Sequence, residues 1–342
     1  MDKIITIGLD IAKNVFQVHG VDATGAVVVR RQLRRSEVLG FFGKVAPCLV
    51  GLEACATAHY WARRIAALGH EVRLLPPVRV KPYVKLGKKN DAADAAAIAE
   101  AVTRPHMRFV AVKTADQQAA LTLHRARDLL VGQRTMLICA IRAHLAEFGI
   151  VAAQGKGPFA KLLAQLRSEE GCGLPAAALA TLRLLAEQID DGNARIDVLE
   201  REIVARHKAD EVGRNLATIP GIGPIIASAL AAAVPNAAMF KSGRQFAAWL
   251  GLVPRQNSSG GKERLGGITK AGDRYLRRLL VIGATGLIRY KRNNVPGGLA
   301  WVTKLLGKKP VRLVTVALAN KMARIAWAVM TSGKVYREPQ PA

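Results

Sequence analysis

The sequence predicts two architectures in one chain, an α/β amino-terminal region followed by a mostly helical remainder. Three observations carry this expectation. Over the first 110 residues, short apolar runs closed by Asp, Glu, Gly or Pro alternate with helical patterns. From Ala115 onward, apolar residues recur at intervals of three and four. Past Arg206, helical stretches punctuated by Gly and Pro carry most of the net positive charge. At 342 residues the chain exceeds a usual single core, and its divisions are expected at 1–114, 115–208 and 209–342.

Residues 4–9 form a first strand that ends in Asp10. Residues 15–21 and 26–33 form two more, joined by the turn Asp22-Ala-Thr-Gly25: a meander of three strands. A helix from about Ser36 leads to a fourth strand over 48–52, closed by Glu53. A helix over 59–68 leads to a fifth strand over 71–75, which Pro76 and Pro77 stop. A basic loop over 81–89 then feeds an Ala-rich helix carrying Asp91 and Asp94. The order β-β-β-α-β-α-β-α is that of the ribonuclease-H-like fold, which includes the RuvC resolvases.

Residues 115–149 place Leu130, Leu137, Ile141, Leu145 and Phe148 on one helical side, and Gly and Pro at 155–158 and 171–175 interrupt the pattern. A second long helix repeats Leu182, Leu185, Ile189, Ile196, Leu199 and Ile203, with Gly192 in the slot between Ile189 and Ile196. That seam suits an antiparallel hairpin within the chain or a coiled coil between chains. The third region opens with Leu216-Ala-Thr-Ile-Pro-Gly-Ile-Gly-Pro224, a helix-hairpin-helix-like turn. There Gly221 and Gly223 would let backbone N–H groups approach a DNA phosphate at a helix N-terminus, although an ordinary turn shares this composition.

Lys and Arg outnumber Asp and Glu by 51 to 25, a net charge of +26. From Arg206 to the end the count is 23 against 5, so the last two-fifths of the chain hold most of the surplus. A surface of this kind attracts polyanions, and nucleic acid is the expected partner. Cys48, Cys55, Cys139 and Cys172 show no metal-ligand or disulfide spacing and read as buried small hydrophobes in a reducing compartment. Asp2, Lys3 and Asp10 interrupt the first apolar run, so no secretory leader is expected. The uncharged stretch 215–240 is broken by Pro220, Pro224 and Pro235. A soluble, cytoplasmic protein without a membrane partner is therefore expected.

Asp10 and Glu53 close the first and fourth strands, and Asp91 and Asp94 lie three apart on one helical face. If those strands are neighbours, the helix brings its carboxylates against them. Four such groups resist ionising together unless a cation joins them. Mg2+ fits, since it accepts a few carboxylates and completes its shell with water and phosphate oxygens. Two ions about 3.5–4 Å apart would clamp the attacking and leaving oxygens of a phosphodiester, and Mn2+ is the chemical alternative. Each acid also has a plain structural reading: Asp10 as a turn former, Glu53 as an ion-pair partner, Asp91 as a helix cap. A first-strand Asp also binds Mg-ATP in the actin and sugar-kinase branch of the same superfold, but no second Gly-rich phosphate loop follows here.

Residues 251–272 are predicted to be a flexible loop rich in Gly, hydroxyls and cations, ahead of an apolar helix. Arg255, Lys262, Arg264, Lys270, Arg274, Arg277 and Arg278 are its candidate nucleic-acid contacts. Ser258 or Ser259 would attack phosphorus once a base or metal removed its proton, though spacing alone makes either an ordinary loop serine.

The runs Ile7-Gly-Leu-Asp-Ile-Ala-Lys13, Leu52-Glu-Ala54, Lys89-Asn-Asp-Ala-Ala-Asp-Ala95, Ile219-Pro-Gly-Ile-Gly223, Gly251-Leu-Val-Pro254, Ser259-Gly260 and Gly267-Ile-Thr-Lys-Ala-Gly272 occur in order. Together they resemble the DEDD transposases of bacterial insertion sequences, the "one-ten" group that includes the Piv-type invertases. The resemblance spans nearly the whole chain. It implies a RuvC-like domain whose metal-binding tetrad falls on Asp10, Glu53, Asp91 and Asp94, a coiled-coil-forming segment, and a second domain whose nucleophilic serine matches Ser259. It further implies a composite site between subunits of a tetramer, a phosphoserine link to DNA, a guide RNA that pairs with donor and target DNA, and work at the bacterial nucleoid. After Glu53 the chain reads Ala54-Cys-Ala-Thr-Ala-His-Tyr-Trp61 where many members carry Ala-Thr-Gly-x-Tyr, and His59 there reads as a structural hydrogen-bonder.

Two competing readings make different predictions. A metal-only junction resolvase would cut DNA nearly normally with Ser259→Ala. A basic nucleic-acid-binding scaffold would keep every activity with Asp10→Asn.

Overall fold

The computed structural model describes residues 3–84, 90–168, 171–290 and 300–338. It divides into two compact units, Met1–Gln118 with Val234–Asn236, and Ala119–Ala233 with Ala237–Ala342.

The first unit is a five-stranded mixed sheet with helices. Its strands are β1 (Thr6–Ile11), β2 (Val15–Val21), β3 (Val27–Arg34), β4 (Leu49–Glu53) and β5 (Glu71–Leu75), in the order β3-β2-β1-β4-β5. β1, β2 and β3 pair antiparallel as the predicted meander, while β4 runs parallel to β1 and to β5. The helices are α1 (Val38–Phe42), α2 (Ala58–Ala66), the single turn α3 (Pro77–Val80) and α4 (Asp91–Val102). Ile7, Leu9, Phe16, Val50, Leu52, Trp61 and Ile65 are buried in one core cluster. Residues 85–89 of the predicted basic loop lie outside the described residues.

Two glycines decide how closely α4 sits on the sheet. A methyl group on Gly8 would overlap the Ala95 carbonyl oxygen and the Ala99 nitrogen, and one on Gly51 would crowd Val102. The helix is therefore in backbone contact with β1, which needs Gly below and Ala above.

Among its described residues, the second unit is helical apart from one hairpin and the connecting turns. α5 (Ala115–Ala146), α6 (Lys156–Arg167) and α7 (Ala176–Ala209) make an arm. Leu182, Ile189, Ile196 and Ile203, seven apart, are all buried. Leu182 and Ile189 pack with Ile141, Leu145 and Leu162 of α5 and α6. Arg127 pairs with Glu200 and Arg134 donates to Asn193 at 2.9 Å, so α5 and α7 run antiparallel. This is the intrachain hairpin, one of the two arrangements that the seam allowed.

Beyond the arm lie α8 (Glu211–Ala217), α9 (Pro224–Ala233), α10 (Gly243–Trp249), the strands β6 (Pro254–Gln256) and β7 (Leu265–Ile268), α11 (Arg274–Tyr290), α12 (Ala300–Leu306) and α13 (Val311–Ser332). By length and composition α13 is apolar enough to cross a membrane. Here it is a core helix: Val314, Leu318, Met322 and Ala326 are buried, and it packs on α8, α10, α11 and α12.

Two expectations are corrected. Residues 251–272 are not an irregular loop, because β6 pairs antiparallel with β7. Gly260 and Gly261, both at positive φ, form a two-residue turn that bridges Ser259 and Lys262. The cysteines are also less buried than expected. Cys48 is buried, but Cys55 follows β4 in an exposed turn, Cys139 faces outward from α5, and Cys172 is half-buried in a tight turn at φ +62°.

Candidate active site

The parallel pairing of β1 with β4 ends at Leu9 opposite Leu52, one residue before Asp10 and Glu53. Those two carboxylates therefore leave adjacent strand ends. α4 delivers the others. Its N-cap is Asn90, whose side-chain oxygen accepts from Ala93 N–H at 2.8 Å. With capping done by its neighbour, Asp91 is left available for other work. Asp91 and Asp94 occupy the first turn, where the positive end of the helix dipole favours carboxylates.

Asp10, Asp91 and Asp94 each place a carboxylate oxygen within 4.8 Å of the others. Burial raises the Asp10 pKa from an ordinary 3.8 to about 6, aided by the charges of Asp94, Asp91 and Glu53. Glu53 is also raised, by burial and then by Asp94. It couples electrostatically to the cluster without joining its three-way contact. Among the described residues Glu53 has no ion-pair partner. Clustered hard oxygen donors that resist joint ionisation are the donor set a divalent cation completes.

Cys55 also lies within electrostatic reach, and sequence reasoning gave it no such place. Although the residue as a whole is exposed, partial desolvation of its thiol, then the charges of Glu53 and Asp10, hold the thiol pKa above its usual range. The signal was available in its position two residues past Glu53. His59 has the structural part expected: its Nδ1 accepts from Lys113 N–H at 3.2 Å.

The serine hairpin belongs to the second unit. Ser258 Oγ accepts from Arg264 N–H at 3.2 Å, which ties it to the hairpin backbone. Ser259 sits beside the Gly260-Gly261 turn and is exposed. The hairpin base is closely tied to its surroundings. Arg277 donates to the Leu250 and Ala271 carbonyls at 2.9 and 2.6 Å, and a side chain on Gly272 would overlap the Trp249 carbonyl. Asp273 caps α11 by accepting from Tyr275 and Leu276 N–H.

The candidate nucleic-acid contacts fall into two groups. Arg255, Lys262, Arg264, Lys270 and Arg274 are exposed. Arg277 clamps the hairpin, and Arg278 pairs with Asp128 while lying over the Tyr275 ring at 5.5 Å. Gly223 is exposed at the start of α9, whereas Gly221, at φ +83°, is packed against Met322 and the Gly283 carbonyl.

A buried polar chain links the helices around this hairpin, and sequence reasoning missed it. His124 of α5 is fully buried and hydrogen-bonds Tyr275 OH on one side and Ser228 Oγ on the other, both at 3.1 Å. Burial, then the Arg127 charge, lowers its pKa to about 4, so the ring is neutral.

Residues 7–150 match the family model DEDD_Tnp_IS110, described as a transposase, and residues 213–295 match that of the Transposase IS116/IS110/IS902 family. The sheet-borne carboxylates thus lie in a DEDD transposase domain, a class that works on DNA with a divalent metal. Among relatives, a "Probable family 20 transposase" of Pseudomonas aeruginosa strain PAO1 is 51% identical over 97% of this chain and 98% of its own. The "Transposase for insertion sequence element IS1328" of Yersinia enterocolitica is 41% identical over 98% of this chain and 99% of its own. The "Transposase for insertion sequence element IS1111A" of Coxiella burnetii is 39% identical over 98% and 92%. The chain belongs to the IS110/IS116 family of insertion-sequence transposases.

Proposed function

We propose that this transposase cuts and rejoins DNA by phosphoryl transfer at Asp10, Glu53, Asp91 and Asp94, with Ser259 as nucleophile and a guide RNA of its own element selecting the DNA. The observation that carries the reading is the convergence of Asp10, Asp91 and Asp94 within 4.8 Å at strand and helix ends. The ribonuclease-H-like reading of the first unit draws support from the strand order β3-β2-β1-β4-β5. Asp10, Asp91 and Asp94 would hold Mg2+ or Mn2+, with Glu53 adding charge beside them. Bound there, a pair of such ions would offset the clustered negative charge and withdraw electrons from the phosphate.

Ser259 is favoured over Ser258 because the Ser258 hydroxyl already accepts from the Arg264 backbone. Attack by Ser259 Oγ, after loss of its proton, forms a serine–phosphorus ester and releases one DNA strand end as a hydroxyl. A second strand's hydroxyl then displaces the serine. One phosphoester bond is broken and one made at each step, so no ATP is needed. Arg255, Lys262, Arg264, Lys270 and Arg274, with the Gly223 backbone, are the phosphate contacts of this reading; Gly221, Arg277 and Arg278 hold the site's shape. The divisions 1–114, 115–208 and 209–342 would be catalytic, arm and serine-bearing, with dimers assembling to a tetramer.

The test is to incubate the protein with its flanking non-coding RNA, matching DNA and Mg2+, and to look for protein joined to a DNA end. The parent and Ser258→Ala should form the adduct and Ser259→Ala should not. Normal cutting by Ser259→Ala would leave the metal-only resolvase reading in its place. An adduct formed equally well without RNA would remove the guide.

A further inference from the structure

A second basic cluster, made of residues other than those assigned above, lies between α10 and α13. Ser242 caps α10, its Oγ accepting from Gln245 N–H at 3.3 Å. The next residue, Gly243, is buried, and a Cβ there would lie 3.0 Å from the Arg324 carbonyl oxygen. The two helices therefore meet backbone to backbone. Arg244, Lys321 and Arg324 are left around one groove of about 540 Å³. Trp327 forms part of its wall, fixed by donation from its indole N–H to the Ala237 carbonyl at 3.1 Å.

No carboxylate among the described residues lines this groove. Among the described residues, none of its three cations makes an ion pair, whereas Arg127, Arg167 and Arg278 each pair with an acid. Nor does helix packing require them, since Phe246 and Ala247 of α10 and Ala323 and Ala326 of α13 supply buried apolar surface. Three cations sharing a groove repel each other, and a chain of phosphates is the partner that turns this repulsion into attraction. An immobilised indole beside them offers a flat face for a sugar or base.

We infer that the groove between α10 and α13 binds the sugar-phosphate backbone of a nucleic acid, as a site separate from the serine hairpin and the Gly221–Gly223 turn. The choice of polymer rests on the proposed function, but the test reads binding alone, so loss of the Ser259 chemistry would leave it standing.

The experiment compares the full-length protein with a triple variant, Arg244→Gln, Lys321→Gln, Arg324→Gln. A control triple neutralises Lys156, Lys161 and Arg201, exposed on the arm. Binding of a labelled DNA duplex and of a labelled single-stranded RNA is titrated over a range of salt. If the cations contact phosphates, the slope of log K against log[salt] becomes shallower by about 2–3 for duplex DNA, or about 2 for single-stranded RNA. Affinity at moderate salt should fall about tenfold or more. A change confined to one polymer names the ligand. The groove variant should melt at or slightly above the parent temperature, since its cations make no internal ion pairs and repel each other. Slopes unchanged for both polymers, or an equal change in the arm control, would overturn the inference.

Discussion

Asp10 carries an electrostatic cost imposed first by burial and then by the neighbouring carboxylates. Its folded pKa, about 6, lies above the ordinary 3.8. Between these values the folded protein keeps a proton that the unfolded chain has released, so metal-free stability falls as pH rises through the window. At pH 7.5 the cost is fully present, about 1–2 kcal/mol after allowing for solvent screening. Asp10→Asn should therefore raise the melting temperature of chelator-treated protein while abolishing both stabilisation by Mg2+ and DNA cleavage. A lower melting temperature in the chelator-treated variant would mean that Asp10 is a structural hydrogen-bonder. The acids themselves were legible in the sequence, because residues closing core strands and a helix start near Asp91 can be read from pattern, whereas the capping by Asn90 in place of Asp91 came from the fold. The exclusion of Glu53 from the tight three-way contact was not, because it depends on side-chain placement.

At the scale of elements, the site depends on how near α4 comes to β1. Gly8 is the contact point, and a side chain there meets backbone atoms of Ala95 and Ala99 that cannot swing away. Gly8→Val should cost more than about 3 kcal/mol, beyond usual overpacking, and should weaken divalent-metal binding because the helix carries Asp91 and Asp94. Melting curves with and without Mg2+ read both effects. Gly192 is the opposite case. It lies inside α7, where a Cβ would meet nothing within 4 Å. Gly192→Ala should therefore stabilise the protein by about 1 kcal/mol, measured by denaturant unfolding, through helix propensity and a less flexible unfolded chain. Periodicity located α7, and Ala-rich composition located α4. It did not reveal the two-stranded pairing at the serine, since β6 and β7 are exposed, short and lack an apolar alternation.

For the whole molecule, the buried chain through His124 ties α5, α9 and α11 together and sets a limit in acid. Its folded pKa, about 4, lies below the ordinary 6.5. In this window the unfolded chain binds a proton that the folded protein refuses. Stability is thus retained above pH 6.5 and lost as pH falls towards 4, by about 3 kcal/mol at most. His124→Gln keeps a hydrogen-bonding side chain and removes the titration. It should flatten the unfolding free energy between pH 6.5 and 4 relative to the parent. Equal slopes in the two proteins would exclude His124 as the cause.

The order of strands and helices in the first unit, the acids at their ends, the Ser-Gly step and the surplus of positive charge were fixed by sequence alone, because local pattern and composition encode them. Tertiary structure decided which of these residues meet. Neighbouring strands bring Asp10 near α4 across about eighty residues of chain, and two glycines set the separation. The Ser228–His124–Tyr275 chain joins groups more than a hundred residues apart. No local signal marks such pairs, since long-range contacts arise only when several elements pack together and exclude water.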